Sequence, residues 1–164
     1  MKLNKTGHMA KVDKPADPLC FDQYDDFLGF VVSQSGYLLG KSLGDAISKA
    51  GYKITPREFA VLNRVFQYKE LSQFQIADLT FKDRPATTRM LDKLENLGYI
   101  KRRVSREDGR RLNVTLTNKG KTVRNDVVPL AVEMIKSGCE GISDEDIYAT
   151  VKTLQTINSR LANA

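Results

Sequence analysis

The hydrophobic pattern of this chain switches from a helical period to a period of two at Gly98, and that switch limits the folds open to it. Before Gly98, apolar residues recur every three or four positions in short runs that carry their own start signals. Thr55-Pro56-Arg57-Glu58 has the form of a capping box with proline at the first helical position, and Phe59, Leu62, Val65 and Phe66 follow as an apolar face. Ser72-Gln73-Phe74-Gln75 repeats the box and predicts a short helix with Phe74, Ala77 and Leu79 turned inward. A polar turn, Lys82-Asp83-Arg84, leads into Pro85, and Leu91, Leu94 and Leu97 carry a third helix to Gly98, a natural C′ residue. After Gly98 the period is two. Ile100 to Val104 reads as a strand, Leu112, Val114 and Leu116 mark a second, and Asp108-Gly109 lies at the tip of the hairpin loop between them.

Longer helical patterns flank this block. Phe27, Phe30, Val31, Leu38, Leu39, Leu43, Ala46 and Ile47 lie roughly at helical spacing in a proline-free stretch from about Phe21 to Gly51. Gly29, Gly36, Gly40 and Gly44 weaken that helix by about 1 kcal/mol each relative to alanine, while permitting close backbone approach. Thr117 caps a further helix that Pro129 is expected to kink or interrupt. Ser143 opens a last one, with Asp144, Glu145 and Asp146 suited to its N-terminal dipole and Ile147, Val151, Leu154 and Leu161 as its inner stripe. The expected fold is mainly α with a small β-wing, a winged helix-turn-helix core plus long helices forming a dimerisation domain. The expected divisions are 9–54 for the N-terminal segment and dimerisation helix, 55–117 for the winged helix, and 118–164 for the C-terminal dimerisation helices. Residues 1–8, ending in Gly7-His8 before Met9, read as an expression-tag remnant.

Charge points to a partner. The chain of 164 residues carries a formal net charge of +6. Lys82, Arg84, Arg89, Lys93, Lys101, Arg102, Arg103, Arg106, Arg110 and Arg111 face only five acids between positions 82 and 111, so this segment holds nearly all the excess. Such a patch suits phosphates, although a solvated basic face is the plain alternative. In a winged helix the second helix of the motif enters the major groove. Arg84, Pro85, Thr87, Thr88 and Arg89 are therefore the groove-facing candidates, with Lys93 and Arg103 as further DNA contacts. Arg106, Arg110 and Arg111 cluster near the hairpin tip, where a minor groove or its phosphates are in reach, and Asp108 is placed to aim Arg110.

Other functions find less support. A nucleophile–base pairing and a phosphate-cradling glycine loop are absent, and the only histidine is His8, so an enzyme is not expected. No cofactor or metal is implied. Nothing approaches the ~20 apolar residues of a membrane span, and Cys20 and Cys139 cannot build a disulfide framework, which suits a cytoplasmic protein. Asp22, Asp25 and Asp26 disfavour a reactive thiolate at Cys20, and Cys139 is expected to be a buried, inert thiol. A winged helix used only for protein contacts is the rival to DNA binding.

Four segments together resemble the MarR family of regulators. They are Gln75-Ile76-Ala77-Asp78-Leu79, then Pro85-Ala86-Thr87-Thr88-Arg89-Met90-Leu91-Asp92-Lys93-Leu94-Glu95-Asn96-Leu97-Gly98-Tyr99-Ile100, and Arg103-Val104-Ser105-Arg106-Glu107-Asp108-Gly109-Arg110-Arg111 followed by Leu116-Thr117-Asn118-Lys119-Gly120. The resemblance spans roughly Phe27 to Leu161. It implies a homodimer that represses transcription, or competes with another regulator, at a pseudo-palindromic operator of double-stranded DNA. The wing pair of the family falls on Asp108 and Arg110, and its recognition-helix arginine on Arg89. Ala86 stands where the family often has a small hydroxyl residue, so one contact is missing. The resemblance further implies release by a small aromatic or phenolic effector. Tyr37, Tyr52, Phe59, Arg64 and Phe66 could line its crevice, though plain core packing is the favoured reading of these residues.

Overall fold

The computed structural model describes residues 17–20, 24–80, 83–105, 109 and 111–162, which divide into two compact units, Met1–Lys41 and Ser42–Ala164. In the first, a 3₁₀ turn at Tyr24–Asp26 precedes helix α1 (Leu28–Lys49), which ends in the second unit. The Leu28 N–H donates to the Pro18 carbonyl at 2.8 Å, and the Tyr24 and Phe30 rings meet with centroids 4.4 Å apart. The helix runs through all four of its glycines, and Val31, Val32, Tyr37, Leu38 and Leu39 stay exposed along it.

The second unit holds α2 (Pro56–Tyr68), β1 (Glu70–Ser72), α3 (Gln73–Leu79), α4 (Arg84–Asn96), β2 (Ile100–Val104), β3 (Leu112–Leu116), α5 (Asn118–Gly138) and α6 (Asp144–Ala162). Both capping boxes form. The Thr55 hydroxyl accepts from the Glu58 N–H while the Glu58 carboxylate accepts from the Thr55 N–H, and Ser72 and Gln75 repeat the exchange. Gly98 ends α4 at φ +73°, with its N–H bonded to the Glu95 carbonyl and that of Tyr99 to Leu94, a Schellman closure. The two expected strands pair antiparallel from Ile100 opposite Leu116 to Val104 opposite Leu112. A third strand, β1, joins β3 from the other side, Leu71 opposite Val114, giving the order β1-β3-β2.

One core fills this unit. Ile47, Ile54, Leu62, Val65, Ile76, Leu91, Leu94, Ile100 and Val114 form it, and Val123 and Val127 of α5 complete it. Thr117 hangs α5 from the turn after α4. Its N–H donates to the Tyr99 carbonyl at 3.0 Å, and its hydroxyl donates to the Gly98 carbonyl at 2.6 Å while accepting from the Gly120 N–H.

Four expectations change. Phe74 is 54% exposed, because the inward face of α3 is set by Ile76 and Ala77, a different side of a helix only two turns long. Helix α5 is not interrupted at Pro129 but continues through it as one element, since proline removes a single N–H that the rest of a 21-residue helix can spare. The expected inner stripe of α6 is not covered within the chain: Val151 and Leu161 are exposed, and Ile147 and Leu154 only half-buried. Likewise Cys139, the C-cap of α5, is half-buried.

Candidate nucleic-acid interface

Asp83 sets the start of α4 as its N-cap, its carboxylate accepting from the Ala86 N–H at 2.6 Å. Arg84, Pro85 and Arg89 are exposed on the first turns. Thr88 is half-buried and spends its hydroxyl proton on the Arg84 carbonyl at 3.0 Å while accepting from Gln73 Nε2 at 2.6 Å, so it ties α4 to α3. Thr87 is fully buried, its hydroxyl donating to the Asp83 carbonyl, and it cannot reach a groove. It starts the inner stripe of α4, four residues before Leu91 and seven before Leu94. Counting back one helical turn from Leu91 was the signal that could have found this.

The basic residues of the segment divide by partner. Lys93 Nζ lies 2.9 Å from the Glu58 carboxylate, whose other duty is the α2 capping box, so this lysine joins α4 to α2. Arg102 is held more closely still. Its Nε and Nη2 donate to Glu95 Oε2 at 2.8 and 2.6 Å, its backbone N–H donates to Glu95 Oε1, and Nη2 also meets Asp92 at 2.6 Å. These bonds hold the Glu95 carboxyl below the usual carboxylate range, side-chain bonding to Arg102 being the largest cause, and raise Arg102 correspondingly. The clamp fixes edge strand β2, the root of the wing, to α4. Arg84, Arg89, Lys101, Arg103 and Arg111 remain exposed. Among the described residues, Arg84, Arg89, Lys101 and Arg103 form no ion pair.

At the wing root the Ser105 N–H donates to the Arg111 carbonyl at 2.8 Å, and Arg103 sits opposite Asn113. Arg106, Asp108 and Arg110 lie outside the described residues, and with them the expected aiming of Arg110 by Asp108. Between the N-termini of α3 and α4 and the wing root is a hollow of about 360 Å³ lined by Gln73, Phe74, Arg84 and Arg111. The Arg84 guanidinium stands over the Phe74 ring, 5.1 Å from its centroid.

The sequence model of the MarR family matches residues 52–111, from the approach to α2 to the residue before β3. The HTH-type transcriptional repressor YetL of Bacillus subtilis is 30% identical over 115 residues, 69% of this chain and 69% of that protein. The chain belongs to the MarR family. A second relative by sequence, the HTH-type transcriptional regulator PecS of Dickeya dadantii, is 29% identical over 135 residues, 80% of each chain. The fold agrees with that of CouR from Rhodococcus jostii RHA1, a transcriptional repressor solved bound to a 23-mer DNA duplex (TM-score 0.76, 24% identity, 85% of this chain and 98% of that one). A second structure of CouR contains p-coumaroyl-CoA (TM-score 0.75, 24% identity, 83% and 94% covered).

The residues expected to hold an effector in this MarR-family chain take separate roles. Phe59 is core, 6% exposed. The Tyr52 hydroxyl donates to Asp126 of α5, and that bond is the largest cause of the phenol's raised pKa. Phe66 lies under the Arg124 guanidinium at 4.2 Å, which also donates to Asn63 at 3.0 Å. Arg64 reaches Gln67 at 3.5 Å, and Tyr37 is an exposed residue of the first unit. Asp126, Arg124 and Asn63 were not foreseen, since only the fold brings α5 beside α2.

Proposed function

We propose that this protein is a sequence-specific DNA-binding transcriptional regulator, a repressor, acting as a homodimer on a pseudo-palindromic operator. One observation carries the reading: on an element otherwise well paired, Arg84 and Arg89 of α4, with Lys101 and Arg103 of β2, face solvent without an ion pair among the described residues. Lys93 and Arg102 show that this fold neutralises the cations it needs for itself. The four left over lie on the helix that enters the major groove in this class of module and on the wing beside it. Arg89 is the base-reading residue; Arg84, Arg103 and Arg111 are assigned to phosphates, and Arg106, Asp108 and Arg110 to the wing tip. Action on an operator places the protein with the DNA, in the cytoplasm, and involves no catalytic step.

Dimerisation accounts for apolar surface that one chain leaves bare. Val132 and Ile135 of α5, Ile142 before α6, and Val151 and Leu161 within it are all exposed at 43% or more. Apolar faces of this kind mark contact surfaces, and the contacting partner here is a second copy. CouR is found both with a DNA duplex and with p-coumaroyl-CoA, and for this chain the reading includes release from DNA by a small-molecule effector with an aromatic or phenolic body.

Selection of bound duplexes from a random pool tests the proposal. Enrichment of an inverted repeat with half-sites about 10 base pairs apart, or a multiple of it, is the expected result. A pool with no enriched motif would favour the protein-contact module instead.

A further inference from the structure

Two carboxylates and a single guanidinium meet where α4 passes β2, and neither acid is placed to suit its own helix. Asp92 and Glu95 stand near the C-terminal end of α4, where the helix dipole disfavours negative charge. Both turn instead to Arg102, whose Nη2 lies 2.6 Å from each. We infer that Glu95 is a positioning residue for DNA binding, acting through Arg102 to fix the direction in which Lys101 and Arg103 leave β2. This rests on the DNA-binding reading above and adds to it a residue that acts without touching the duplex.

Successive side chains of a strand point to opposite faces, so the face given to Arg102 decides the face of its two neighbours. Arg102 is half-buried against α4, and Lys101 and Arg103 are exposed. Glu95 holds the strand in that sense at two levels. Its Oε1 accepts the Arg102 backbone N–H at 2.9 Å, on the edge of β2 that β3 does not cover. Its Oε2 accepts from Nε and Nη2 of the same residue. Turning β2 about its axis breaks all three bonds. Only Leu97, Gly98 and Tyr99 separate the helix from the strand, so turn and clamp together join α4 and the root of the wing into one piece. Glu95 and Asp92 keep 36% and 48% of their side chains exposed, so solvent screens the ion pairs and they supply direction more than stability. Cations held in place before the duplex arrives lose less freedom on binding it.

The test is an anisotropy titration of a duplex recovered from the random pool, with unfolding curves for every variant. Glu95→Gln keeps the shape of the side chain and removes its charge. By charge alone it should tighten binding, because the protein loses a negative group near its cationic face. Positioning predicts the reverse: a loss of about five-fold that persists in an Arg89→Ala background and disappears once Lys101→Gln and Arg103→Gln are present. Arg102→Lys keeps the charge but not the planar fork, and is expected to show the same loss with the same dependence. A folded Glu95→Gln or Arg102→Lys protein that binds as tightly as wild type would overturn the inference. So would a loss that survives removal of Lys101 and Arg103, or failure of both variants to fold, since the clamp is then structural. Each of these leaves the DNA-binding reading intact, whereas wild-type protein that prefers no duplex removes both together.

Discussion

Gly120→Ala is expected to cost more than about 3 kcal/mol, enough to unfold much of a typical domain's margin. A Cβ built on Gly120 stands 1.9 Å from the Tyr99 carbonyl oxygen and 2.8 Å from its carbon. The obstacle is backbone, not the end of a flexible side chain, so rotamer change cannot relieve it. Nor can Tyr99 easily withdraw, because the same carbonyl accepts the Thr117 N–H and Tyr99 leads directly into β2. Helix α5 would have to lift away, taking Val123 and Val127 out of the core and breaking the Thr117 bonds to Gly98 and Tyr99. Urea unfolding measures this through the midpoint. A shift worth less than about 0.5 kcal/mol would show that α5 does not dock against Tyr99 as described.

Arg89→Ala is expected to have the largest effect on function. Arg89 is exposed on α4, one position beyond Thr88 and two beyond the buried Thr87, and among the described residues it forms no ion pair. Its loss should therefore leave folding and dimerisation intact. If it pairs with a guanine edge, affinity for the selected duplex should fall by about 10- to 100-fold. Affinity for a scrambled duplex should fall much less, since phosphate contacts carry no sequence information. Equal loss on both duplexes would demote Arg89 to a phosphate contact.

What could be read in advance was what depends on neighbours in the chain. The capping boxes at Thr55 and Ser72 and the Gly98 terminus need only residues a few positions apart, and all three form. The alternation in Ile100–Val104 and Leu112–Leu116 gives both strands, which pair antiparallel. What stayed hidden depends on distant partners. Strand β1 is three residues long and exists because Glu70 meets Thr115 across the fold. Arg102 and Lys93 look like the other basic residues of their segment until Glu95, Asp92 and Glu58 are brought against them. Phe74 and Thr87 were assigned to the wrong faces for a related reason. In a helix as short as α3 two apolar stripes are available, and at the first turn of α4 a threonine can satisfy its hydroxyl on its own backbone and go inside. The same limit applies to the proposed effector contacts, where Tyr52 and Phe66 are engaged by Asp126 and Arg124.

The central claim is that the exposed cations of α4 and the wing exist to bind a particular duplex, at its phosphates and, through Arg89, at a base edge. It is tested most directly by titrating the selected duplex and a scrambled one across a range of salt concentrations. A dimer setting about three cations per protomer against phosphates should give log K against log salt a slope near −5, with the selected duplex bound at least 100-fold more tightly throughout. A flat salt dependence, or equal affinity for the two duplexes, would contradict the account.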